Sequence, residues 1–211
     1  MIADNVGIVI ILITALGYVS NYLNWRFLDY TVTRLLYYVG AFVHESSHAI
    51  LCILTRAHIL EFKVFTTRPH VTSTASRIPV IGEFLINIAP IIGGLAFLFL
   101  LNRYFLAGHF IMPAFTGWES VFGGAWNIIL QINLWQWQSW VMLLLFLNVG
   151  AMIGPSVQDL KNTWLVLLLL CFAQSPFFAS LGELAISLIV INIGIQLVAI
   201  SLIGIINKVS Q

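Results

Sequence analysis

Residues Val43-His44-Glu45-Ser46-Ser47-His48-Ala49 set three ionisable side chains in the middle of an apolar run, and this constrains the fold more than any other feature. The flanks are Leu35 to Phe42 on one side and Ala49 to Leu54 on the other. On a helix, His44 and His48 lie one turn apart on one face, where two imidazoles can grip one metal ion. Glu45 stands between them, placed to take a proton from a water beside that ion. A Glu at bilayer depth costs roughly 2.5–3.5 kcal/mol on insertion scales, so such a helix needs neighbours that supply polar partners.

The setting is apolar throughout. Of 211 residues, 60% are hydrophobic and 8% are charged, against about 25% charged in a soluble domain. The expected fold class is an all-α, polytopic membrane protein: a bundle of about six transmembrane helices with a short β-hairpin after the second. The chain reads as one domain, 1–211, with no room for a separate soluble unit. A net charge of +1 argues against nucleic acid. Cys52 and Cys171 both fall in apolar spans and read as packing residues. The first 24 residues lack the pattern of a cleaved signal, since Asp4 is the only charge before the apolar run.

Along the chain, span one is expected at about 6–23 and span two at about 32–55. Residues 57–80 alternate apolar and polar side chains and read as a hairpin. Span three falls at about 82–101, with Pro90 and Gly93-Gly94 set to kink or thin it. The Trp-rich stretch 103–137 reads as an interfacial or re-entrant segment. Span four runs from near Trp137 to about Asn148, followed by a break at 150–155. A new helix is capped by Ser156 and runs to about Ala173, and span six covers about 181–206.

Six spans would place Arg56, Lys63, Arg68, Arg77, Lys161 and Lys208 on one side, with Arg26, Arg34 and Arg103 on the other. The asymmetry predicts that both termini, the hairpin and the metal site lie toward the cytoplasm.

A catalytic zinc takes three protein ligands and keeps one position open. Asp159 is the favoured third ligand, because it follows a Gly-Pro break near a helix start, on the same expected side as His44 and His48. Asp4, Asp29, Glu61, Glu83, Glu119 and Glu183 rank lower by position, and His58, His70 and His109 read as surface or far-side residues. Asn148, the last polar residue before the break, is a candidate donor to a developing oxyanion or to substrate backbone. A simple kink is favoured for Asn87 and Pro90.

These parts resemble the site-2 protease family of intramembrane zinc metalloproteases: the His44-Glu45-x-x-His48 motif, the hairpin after it, and Asn148, Pro155 and Asp159 further on. The likeness covers about 32–165 and leaves the spans at 6–23 and 181–206 as accessory. Within the family it resembles the compact branch without a PDZ domain. It implies one zinc ion held by His44, His48 and Asp159, with Glu45 as general base. It also implies a transmembrane or membrane-associated protein substrate cleaved within or near the bilayer. The family's ending sets Asn and Pro close before Asp-Gly, whereas here Asn148 stands eleven residues before Asp159 and Leu160 follows. The competing expectation is an inactive, protease-like membrane protein that binds transmembrane helices or metal. Substrate identity and oligomeric state are not written in the sequence.

Overall fold

The computed structural model describes residues 5–27, 30–66, 69–105, 118–154, 156, 159 and 164–209. Within them the chain is mostly helical. In order come α1 (Val6–Phe27), α2 (Tyr30–Leu54), β1 (Ile59–Lys63), β2 (His70–Ser73) and α3 (Ile81–Leu100), which runs on into a π-helical turn (Leu101–Phe105). Then follow α4 (Trp118–Leu130), α5 (Trp137–Met152), α6 (Trp164–Leu170) and α7 (Pro176–Val209).

Three of these helices are long and apolar enough to cross a membrane, at Val6–Leu23, Ile81–Phe105 and Leu181–Val198. The expected count of six is therefore met only in part. The reason is physical: α2 dilutes its hydropathy with Arg34, Glu45 and two histidines, and α4 and α5 are short, at 13 and 16 residues. The 103–137 stretch holds the regular helix α4, whose Val121, Ala125 and Ile128 are buried while Trp126 is exposed, as is Trp135 in the connection after it. The expected helix from Ser156 to Ala173 is described only in part, because residues 157–158 and 160–163 lie outside the described residues.

Small residues set the helix crossings around α2, as they do where backbones must approach closely in lipid. A methyl group on Gly40 would collide with the carbonyl oxygen of Asn148 on α5. One on Gly93 of α3 would collide with Ser47 Oγ. Three helices thus meet around the histidine-bearing turns. α1 and α7 pack together behind them through a buried polar contact, in which Asn192 and Gln196 both donate to Ser20 Oγ at 2.8 and 3.0 Å.

The hairpin is antiparallel, pairing Phe62 with Val71 and Lys63 with His70, with an irregularity between Ile59 and Glu61. Phe65, after β1, stacks on Tyr38 and Phe42 of α2, with ring centroids at 5.1 and 6.2 Å. Those two rings are one turn apart on the helix. The contact lays the hairpin along α2, beside the turns that carry His44 and His48.

Candidate metal centre

α2 carries His44, Glu45 and His48; Glu45 and His48 are buried and His44 is half-buried. The two rings meet edge to face, with Nε2 atoms 3.3 Å apart. Each Nδ1 is engaged elsewhere: His44 Nδ1 lies 2.7 Å from the carbonyl oxygen of Met152, and His48 Nδ1 lies 2.7 Å from that of Ile86. A carbonyl oxygen only accepts, so each Nδ1 carries the proton and donates. Each Nε2 is then left with its lone pair, aimed toward the other ring.

The two carbonyls are free for a local reason. An α-helix bonds each N–H to the carbonyl four residues earlier. Pro90 sits inside α3 and has no N–H, so the carbonyl of Ile86 lacks its helical partner. Met152 ends α5, where the last four carbonyls have no helical partner. Two helix interruptions thus fix the tautomer and orientation of two imidazoles, the arrangement usual behind metal-bound histidines.

Asp159 completes the group. Its Oδ2 lies 3.8 Å from His48 Nε2. The ligand atoms of His44, His48 and Asp159 all lie within 4.8 Å of one another. Ser156 and Asp159 hold each other: Ser156 N–H donates to Asp159 Oδ2 at 2.6 Å, and Asp159 N–H donates to Ser156 Oγ at 3.2 Å. This reciprocal exchange fixes the Asp159 carboxylate. Two nitrogens each about 2.05 Å from a tetrahedral zinc stand about 3.3 Å apart, so the donor spacing fits such an ion. Unshared, the two facing lone pairs repel. The group can hold a metal ion; donor chemistry alone does not single out zinc.

A cleft of about 530 Å³ opens beside the three side chains. Its other walls include Glu45, His70, Val71, Glu83 and Asn87. The Glu45 carboxylate lies against the backbone N–H of Val71 on β2. A second cavity of about 300 Å³ reaches His44 and Glu45 from the side of α1, between Thr14, Tyr18, Ala151 and Gly154.

His44, His48 and Asp159 are thus brought together, and Glu45 lines the same cleft. Asn148 is not part of this lining. Its Nδ2 donates to the carbonyl of Leu144 at 2.7 Å, and its buried Oδ1 has no hydrogen-bond partner among the described residues. Asn87 lines the cleft instead. His70, expected at the surface, is also a cleft residue, with Nε2 3.0 Å from Glu61 Oε2. The signal for it was its place beside Val71 on the strand that follows the motif; the signal for Asn87 was Pro90, three residues on. Asp4, Asp29, Arg68, His109, Pro155 and Lys161 lie outside the described residues. No protein-family model, curated protein or solved structure matches the chain.

Proposed function

We propose that this chain is an intramembrane metalloprotease of the site-2 type, hydrolysing peptide bonds of transmembrane or membrane-associated protein substrates within or near the bilayer. One observation carries the reading: His44, His48 and Asp159 present metal-ligating atoms within 4.8 Å of one another in a cleft that Glu45 also lines. Binding alone requires no carboxylate beside the ligands; hydrolysis does.

His44 Nε2, His48 Nε2 and one Asp159 oxygen would hold the ion, which we take to be a single zinc. When bound, zinc supplies Lewis acidity, bringing the pKa of a water toward about 7 and polarising a carbonyl. The Glu45 carboxylate takes one proton from the attacking water on Oε. The water oxygen bonds to the scissile carbonyl carbon, the C–N bond breaks, and Glu45 delivers its proton to the leaving nitrogen. Glu45 ends as it began.

The substrate must present an extended backbone, because helical hydrogen bonds hide its carbonyls. Among the described residues β2 has only β1 beside it in its sheet, and we assign its other edge, which borders the cleft, to strand addition by the substrate. The cavity beside Ala151 and Gly154 gives water a route to Glu45. Asn87, rather than Asn148, is the amide placed to meet substrate backbone. From the Lys/Arg asymmetry we place the termini and the cleft on the cytoplasmic side.

The test is reconstitution of the full chain in vesicles with a panel of single-span protein substrates, read alongside elemental analysis. The expected result is about one zinc per chain for wild type and Glu45→Gln alike, with cleavage by wild type alone. Undiminished cleavage by Glu45→Gln removes the general-base role. Metal without cleavage of any substrate favours a metal- or helix-binding protein instead.

A further inference from the structure

The loop that leaves α2 gathers positive charge. α2 ends in a Schellman motif: Arg56 N–H bonds the carbonyl of Ile53 at 3.1 Å, and Ala57 N–H bonds that of Cys52 at 2.8 Å. The motif requires a left-handed residue, and the one supplied is Arg56, at φ 59°. Glycine adopts that conformation without penalty, so an arginine held there carries a backbone cost that a glycine would not.

The strand-to-helix connection is strapped onto the same turn. The buried Thr55 offers its carbonyl oxygen to Arg77 N–H and to Ser76 Oγ, both at 3.2 Å. His58 and Thr74 exchange bonds beside it, His58 N–H donating to Thr74 Oγ1 at 2.9 Å and Thr74 N–H to the His58 carbonyl at 2.8 Å. Arg56, His58 and Arg77 consequently line one groove of about 500 Å³, completed by Ile53, Ala57 and Ile59. No acid among the described residues lines it. Glu61 is engaged by Lys63 and His70, and Glu83 receives Ser76 N–H at 2.5 Å from the wall of the metal cleft. Among the described residues neither guanidinium has an ion-pair partner.

The groove also has a level. Arg77 stands four residues before Ile81, where a candidate membrane span begins. The flanking Ile53, Leu54, Val80 and Ile81 are each at least 60% exposed. Cationic forks bordered by bare apolar side chains, at a span's edge, match a phosphate joined to acyl chains.

We propose that this groove binds the phosphate of one anionic phospholipid between Arg56 and Arg77, with its acyl chains along Ile53 and Leu54. The inference is independent of the protease reading.

The test uses the full chain in nanodiscs of phosphatidylcholine with and without phosphatidylglycerol, read by thermal unfolding and by lipid retained in native mass spectrometry. Wild type should retain phosphatidylglycerol and unfold at a higher temperature with it. Arg56→Gly and Arg77→Gln should each lower retention about fivefold and lose most of the thermal shift. Arg56→Gly relieves the left-handed strain, so in detergent without lipid it should unfold no earlier than wild type; a loss of lipid response cannot then be a loss of fold. Arg103→Gln, beyond the other end of α3, should change nothing. Equal retention in all variants, or an equal loss in Arg103→Gln, overturns the site. The same thermal shift from inorganic phosphate alone assigns the groove to a free anion and overturns the lipid.

Discussion

The carbonyl oxygen of Ile86 lies 2.7 Å from Nδ1 of His48, and it is available because Pro90 withholds the N–H that would otherwise bond it. A helix-breaking residue on one helix thus orients, on another, a ring of the group that could hold a metal ion. Pro90→Ala would supply an N–H competing for that oxygen, while removing a residue that ordinarily costs a helix about 3 kcal/mol. Metal affinity should fall roughly 10–100-fold, as it does when the group behind a ligating histidine is lost. Helix stability should hold or improve. Competition with a chromophoric chelator measures the first and thermal unfolding the second; unchanged affinity would disconnect Pro90 from the site.

Asp159 is held by Ser156 on one side and faces His48 on the other. Asp159→Ala should lower bound metal well below one per chain after dialysis, as should His44→Ala and His48→Ala. Ser156→Ala should keep the metal but bind it less tightly, since only the carboxylate's orientation suffers. Full metal content in Asp159→Ala, by elemental analysis, would leave the carboxylate a helix cap only.

Gly40 sits where α2 meets the backbone of α5, and a methyl group added there would run into the Asn148 carbonyl oxygen. Gly40→Ala must push the helices apart, at about 1–3 kcal/mol. The displacement reaches His44, the next turn on the same face, and lengthens its bond to Met152. A lower unfolding temperature and weaker metal binding should appear together. Gly194→Ala, with open space around its added carbon, should cause neither.

Glu61 lies outside the spans, and its bonds to Lys63 and His70 hold its carboxyl below the ordinary glutamate range. A depressed folded value stabilises the hairpin fully above the ordinary value of about 4.3. That stabilisation disappears as pH falls through the depressed value. Hydrogen exchange at the β1 and β2 amides should accelerate on that acid side in wild type and lose the step in Glu61→Gln. Matching pH profiles in the two proteins would show that the cluster does not hold the hairpin.

Helix existence followed from local pattern. The apolar runs of α1, α3 and α7 and the alternating hairpin could all be read from short stretches, because each rests on neighbours within a few residues. So could the pairing of His44 with His48, which needs only helical spacing. The number of membrane crossings could not: α2, expected as span two, carries charges and histidines that leave it less apolar than α1, α3 and α7, and α4 and α5 are short. Asn148 stands apart from the cleft lining for a related reason. Its position before a break suggested a functional amide, but which way a side chain faces on α5 depends on where α2 packs, and Gly40 brings α2 against its carbonyl.

By itself the sequence determined an apolar helical chain with two imidazoles and a carboxylate on adjoining turns, since spacing along one helix is a local property. Only the tertiary structure decided that Asp159 arrives 3.8 Å from His48 and that two interrupted helices lend the carbonyls of Ile86 and Met152 to the rings. It also put His70 and Asn87, rather than Asn148, on the walls of the cleft. Such contacts join residues tens of positions apart, and their distances depend on how closely backbones pack, which no local pattern encodes.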